Sequence, residues 1–136
     1  MFASGDWGQY VRRHETKRLE LTGEDIGGSQ RVPLVVLTER ETGSNAEIMS
    51  GVLRLSGRAK VVGSRTAGNV ELLNWFGFED GSRAWLSIST FTPRGMKNGA
   101  WEGEGIAPDV FLPTRWDLYT EATDPAIAKA VELLKK

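Results

Sequence analysis

At 136 residues the chain has the length of one domain and can bury roughly two-thirds of its unfolded surface in a core. Its 17 lysines and arginines against 18 aspartates and glutamates leave a net charge of −1 with no clustered basic stripe, which argues against a nucleic-acid partner. The absence of cysteine excludes disulfides, thiolate metal sites and a cysteine nucleophile.

The opening MFASGDWGQY lacks a cationic start followed by an apolar core, so it does not read as a signal peptide, and no run approaches the roughly 18 apolar residues of a membrane span. In GQYVRRHETKRLEL two alternating runs flank His-Glu-Thr, which predicts a small hairpin with His14 at or near its turn. His14 is the one histidine of the chain: an exposed turn residue on the plain reading, a general base on the sharper one. The segment from Leu19 to Arg31 is glycine-rich and poor in apolar residues, and reads as a connector loop.

PLVVLTER, Pro33 to Arg40, is a valine-rich apolar run of strand length that opens on a proline able to occupy a first strand position. Beyond it, Ile48, Val52 and Leu55 fall on one helical face with Met49 and Leu53 beside them, and Gly57 stands where a left-handed C-terminal residue is wanted. The spacing predicts a helix from about Asn45 to Ser56. Ser44 sits at the junction, and Glu47 completes a Ser-x-x-Glu capping pattern. The same position has a second meaning. A serine at a helix N-terminus, flanked by Gly43 and Asn45, lies at the positive end of the dipole beside N–H groups that can stabilise an oxyanion.

Lys60 to Gly63 predicts a second short strand, parallel to the first because a helix intervenes. VELLNWFGF and SRAWLSISTFTP then flank Glu79-Asp80-Gly81, a strong hairpin signal with Asp80-Gly81 as the turn. The five tryptophans, Trp7, Trp75, Trp85, Trp101 and Trp116, are read as core packing and surface lids rather than a carbohydrate platform. Glu102, Glu104 and Asp109 have no histidine or dense ligand set beside them, so no metal site is expected. DPAIAKAVELLKK predicts a docked terminal helix with Asp124 as N-cap, Pro125 at the first position, Ile127, Val131 and Leu134 on one face and lysines in the last turn.

The order strand, TGSNAEIMSG, helix, GRAKVVGSRTAGN, then GIAPDV, resembles the carboxyl-terminal processing (tail-specific) proteases and the related tricorn core, collinearly over most of the chain. In that family a Ser-Ala-Ser-Ala-Ser-Glu segment begins a helix and its middle serine is the nucleophile; laid over TGSNAE, the serine falls on Ser44 and the glutamate on Glu47. Gly57, Arg58, Ala59, Val61, Val62, Gly63 and the Thr66-Ala67-Gly68-Asn69 segment continue the match. One departure matters most. The processing proteases carry their base lysine where this chain has Asn69, and an amide cannot accept a proton from serine near neutral pH. The tricorn branch instead pairs serine with a histidine and a glutamate; Gly105-Ile106-Ala107-Pro108-Asp109 aligns with its Gly-Val-x-Pro-Asp segment, which puts Glu102 at the position that orients the imidazole. His14, 30 residues before Ser44, does not match the place of that histidine.

The resemblance implies an α/β fold of the ClpP/crotonase-like spiral type, a mixed sheet with a β-hairpin and helices, present as a partial domain. It divides into a hairpin and connector over residues 1–32, a catalytic core segment over 33–118 and a terminal helix over 119–136. It implies a serine endopeptidase acting on protein or peptide substrates, without a cofactor, in a bacterial periplasmic or extracytoplasmic setting. Ser44 and Glu102 would be catalytic, Asn45 and Gly43 would form the oxyanion side and Asn69 a polar wall. The family's upstream Arg-Gly-Asn-x-Gly-Gly loop and PDZ domain are not in these residues, so the resemblance implies either the C-terminal half of a longer enzyme, with its N-terminal half as an expected partner, or a shortened relative of it, and homo-oligomerisation is a further expectation. The rival reading is a non-catalytic peptide- or ligand-binding module on the same fold, with Ser44 reduced to a cap; retinoid-binding relatives give it precedent.

Overall fold

The computed structural model describes residues 3–113 and 115–135; Met1, Phe2, Thr114, Lys136 and the side chain of Trp116 lie outside it. Its elements follow one another as β1 (Gly5–Val11), β2 (Thr16–Leu21), β3 (Val35–Thr38), α1 (Asn45–Leu55), β4 (Lys60–Gly63), β5 (Glu71–Gly77), β6 (Arg83–Pro93), β7 (Val110–Phe111) and α2 (Pro125–Leu134). They form an antiparallel sheet in the order β2-β1-β6-β5 and a smaller parallel sheet in the order β3-β4-β7.

The sequence signals explain most of these elements. Gly57 ends α1 with φ 70°, the left-handed conformation that only glycine adopts without strain. The Asp80-Gly81 turn closes β5 onto β6 with Phe78 N–H donating to the Ser82 carbonyl at 3.0 Å. The Asp124 carboxylate caps α2 by accepting from the N–H groups of Ala126 and Ile127 at 2.7 and 3.4 Å. β3 is shorter than the apolar run that predicts it, spanning Val35–Thr38, because it pairs only with the four residues of β4.

Several expectations are corrected. Leu19–Leu21 are not connector but the end of β2, held by pairing with β1. The predicted hairpin around His14 is formed by β1 and β2, and Gly8–Val11 pair in turn with Thr90–Pro93, so β1 is a central strand. On α1, Ile48, Val52 and Leu53 are buried while Leu55 is half exposed. On α2 the docked residues are Ala126 and Ala130, with Val131 and Leu134 turned toward solvent, and Lys135 is the C-cap, one position past the last turn. The helix lies against β3 and β4, and two alanines let the backbones approach closely.

The core joins α1 to the antiparallel sheet through Ile48, Val52, Val70, Phe91, Trp101 and Ile106. Tyr10 meets Phe91 edge-on at 5.3 Å, and Phe91 meets Trp101 at 5.9 Å. Of the other described tryptophans, Trp7 packs on this cluster whereas Trp75 and Trp85 are exposed. Gly51 is where α1 touches the Trp101 ring: a Cβ there would stand 2.4 Å from Trp101 and 2.6 Å from Ile106. Gly51→Ala gains about 1 kcal/mol of helix propensity but overpacks the core at a cost of about 1–3 kcal/mol. A lower urea midpoint is the expected result, and an unchanged or raised midpoint would show that the ring moves freely.

Candidate active site

Ser44 follows β3 and begins α1 in an unusual conformation, φ 56° and ψ −130°, and is the non-glycine residue with positive φ among the described residues. Such strain, of order 1–3 kcal/mol, persists only where the surroundings over-determine the backbone. Here they do. The Ser44 N–H donates to the Asn69 carbonyl at 2.8 Å and to Glu47 Oε2 at 3.2 Å, and the Ser44 carbonyl accepts from the N–H groups of Glu47 and Ile48 at 3.0 and 3.1 Å.

Glu47 is the organising side chain. It has 0% exposure. Besides the Ser44 N–H, its carboxylate accepts from the Gly68 and Asn69 N–H groups, both at 2.7 Å, and from the Thr66 hydroxyl. The Thr66 Oγ1 in turn accepts from the Ile106 N–H at 2.8 Å, tying the loop after β4 to the segment before β7. Gly68 permits this wrap, since at φ 77° a Cβ would stand 2.8 Å from the Gly105 nitrogen. Ser44 and Glu47 are thus arranged as a capping box: the Glu47 carboxylate accepts from the Ser44 N–H at 3.2 Å, while the Ser44 hydroxyl faces the Glu47 N–H without a full cap hydrogen bond.

The hydroxyl opens on a cleft of about 270 Å³ whose polar side is Ser44, Asn45 and Asn69 and whose apolar side includes Tyr10, Ile48, Val70 and Leu72. The Asn45 N–H, at the first helical position, has no acceptor among the described residues, as expected of an orphan helix donor. Gly43 precedes Ser44, half buried, with its carbonyl accepting from the Ala46 N–H at 3.2 Å. A larger hollow of about 440 Å³ opens at the far end of α1 beside Trp7, Leu55 and Arg94, away from these groups.

Among the sequence-predicted residues, Ser44, Asn45 and Asn69 come together in the cleft. Glu102 stands behind its wall: Oε2 accepts from the Val70 N–H at 2.8 Å, and its other carboxylate oxygen has no partner among the described residues. His14 is exposed in the β1–β2 turn and does not line the cleft. The titratable side chains that line it are Tyr10 and Glu71. Burial pushes the Tyr10 phenol up from its ordinary value, so it faces the cleft neutral and cannot act as a base near neutral pH. Glu71 accepts from the Thr90 hydroxyl at 3.2 Å. The sequence marks Glu47 as a capping partner and a family match and places Thr66 in the matched Thr-Ala-Gly-Asn segment, but gives neither its role in the buried network, and nothing local marks Tyr10.

Residues 1–112 match the sequence profile of peptidase family S41, and the chain belongs to that family. It is similar to the carboxyl-terminal-processing peptidase 3, chloroplastic, of Arabidopsis thaliana, 35% identical over 82 residues that cover 60% of this chain and 15% of that protein. Similarity to the carboxyl-terminal-processing protease of Picosynechococcus is 31% over 106 residues, covering 75% of this chain and 25% of the relative. Among solved structures, the photosystem II D1 C-terminal processing protease superposes with a TM-score of 0.62 at 25% identity, over 81% of this chain and 28% of that one. The chain therefore spans only about a sixth to a quarter of these curated relatives. The fold is the α/β, ClpP/crotonase-like fold of the S41 peptidases.

Proposed function

We propose that this chain carries the nucleophile of a serine endopeptidase acting on protein or peptide substrates, with Ser44 as that nucleophile. The observation that supports this most directly is the strained Ser44 backbone at the mouth of the cleft, held by Glu47 and Asn69. In the proposed reaction an imidazole from outside the cleft takes the Oγ proton as Oγ bonds to the scissile carbonyl carbon, then returns that proton to the leaving amine. The Asn45 N–H, beside Gly43, faces the oxyanion. The free oxygen of Glu102 orients the imidazole, and Asn69 is a polar wall.

The test is fluorophosphonate labelling of the chain with added imidazole as the surrogate base, mapped by mass spectrometry. An imidazole-dependent adduct on Ser44, lost in Ser44→Ala, is expected; casein cleavage without imidazole is not. Glu102→Gln is expected to cut the imidazole-dependent rate by orders of magnitude, since an orienting carboxylate contributes about 10⁴-fold in serine triads, whereas a loss under about threefold would assign Glu102 to holding Val70 alone. A second reading, a peptide- or ligand-binding module, is favoured by the amide at Asn69 in place of an amine. Labelling spread over many serines, indifferent to imidazole and to Ser44→Ala, would decide for it.

A further inference from the structure

The antiparallel sheet ends in two edges of opposite character. The β2 edge carries Lys17, Arg18 and Glu20, the charges with which proteins keep a free edge from pairing. The β5 edge carries none after Glu71: Leu72, Leu73, Asn74, Trp75, Phe76 and Gly77 run uncharged and without proline, all exposed. The register shift beside Leu72 places its extra residue, Ile88, on β6, so the outer edge of β5 stays continuous. Apolar side chains point to both faces, with Trp75 paired across the ladder to Trp85 and stacked under the Arg83 guanidinium at 4.8 Å.

We infer that the occupant of this edge is a second copy of the chain, paired antiparallel through β5. Full overlap of two seven-residue edges puts the two-fold axis at Asn74, setting Leu73 opposite Trp75 of the other copy and Leu72 opposite its Phe76. One face then sets Leu73 against Trp75, and the other sets Leu72 against Phe76 on either side of a central Asn74 pair, which is the self-complementarity an isologous contact requires. The half-exposed side chains of Leu72, Leu73, Trp75 and Phe76 offer roughly 400 Å² per copy, the size of a weak, transient contact, so the dimer is concentration-dependent. A lipid surface fits less well, because the hairpin tip presents Glu79 and Asp80. Since Leu72 and Leu73 also line the Ser44 cleft, pairing would wall one side of it with the second copy. The inference stands on the edge alone and does not depend on Ser44 being a nucleophile.

The chain has no cysteine, so Asn74→Cys supplies a single thiol on the axis, where facing Cα atoms about 4.5–5.5 Å apart suit a disulfide. Mild oxidation is expected to give a cross-linked dimer with Asn74→Cys and monomer with Ser87→Cys, an exposed position on β6. Light scattering across a dilution series is expected to show dimer dissociating to monomer, and the Leu73→Lys/Trp75→Lys variant, which sets like charges opposite one another, is expected to be monomeric throughout. A chain monomeric at every concentration and without an Asn74→Cys cross-link overturns the inference, as does a dimer that persists in the double variant. Binding of the monomer to anionic vesicles through Trp75 would assign the edge to lipid instead. Should the double variant fail to fold, the cross-link alone decides.

Discussion

Glu47→Ala is expected to lower the unfolding free energy by about 3 kcal/mol or more and to abolish imidazole-dependent labelling of Ser44. The carboxylate is fully buried, and its removal leaves the Thr66 hydroxyl and the Gly68 and Asn69 N–H groups without their acceptor. Each orphaned buried donor costs about 1–3 kcal/mol, and water entering the vacated space recovers part of that. Against a total stability of about 5–15 kcal/mol for a domain, the loss is a large fraction. Glu47→Gln keeps the volume but turns an amide donor toward donors, so it is expected to fall between wild type and Ala. Urea unfolding and labelling read the two consequences separately: the loop from Thr66 to Asn69 loosens, and the Ser44 backbone loses one of the bonds that hold its strained conformation, with the Asn69 carbonyl that takes the other on the loosened loop. A Glu47→Ala chain within about 1 kcal/mol of wild type would show that solvent replaces the carboxylate.

Ser44→Gly is expected to raise stability by about 1 kcal/mol while erasing labelling, and Ser44→Ala to erase labelling at nearly unchanged stability. The two readings of this residue part company here. A serine whose hydroxyl caps a helix loses about 0.5–2 kcal/mol on replacement by alanine and only a few tenths on replacement by glycine. A serine held at φ 56° whose hydroxyl faces the Glu47 N–H without a full cap hydrogen bond has little cap energy to lose. Glycine then relieves the strain, and alanine, which keeps the Cβ, does not. Should Ser44→Ala cost 1 kcal/mol or more and Ser44→Gly fail to stabilise, the hydroxyl belongs to the cap.

The elements that local chemistry punctuates were legible in the sequence. KVVG, which follows Gly57 and ends on Gly63, matches β4 residue for residue; the start of α1, the Asp80-Gly81 turn and the Asp124-Pro125 helix start follow their signals. The choice of face was not legible where a helix is apolar on more than one side. Ala126, Ile127, Ala130 and Val131 form overlapping stripes on α2, and the larger residues suggested the wrong one; contact with β3 and β4 selected the alanines because they admit the closest approach. Leu19–Leu21 belong at once to the alternating run of the hairpin and to the start of the glycine-rich segment, and pairing with β1 decides that they are strand.

By itself the sequence determined that a strand runs into Ser44 and a helix, that Asn69 rather than an amine follows in the matched segment, and that its family resemblance is to S41 peptidases. These are properties of adjacent residues, and short-range sterics and periodicity suffice to express them. Tertiary structure alone decided that Ser44 is strained, that Glu47 gathers donors from residues 19, 21 and 22 positions away, and that Glu102 reaches Val70 across 32. Such bonds depend on how the loops after β4 and β6 close over the start of α1, and a buried carboxylate looks no different in sequence from one that merely caps a helix.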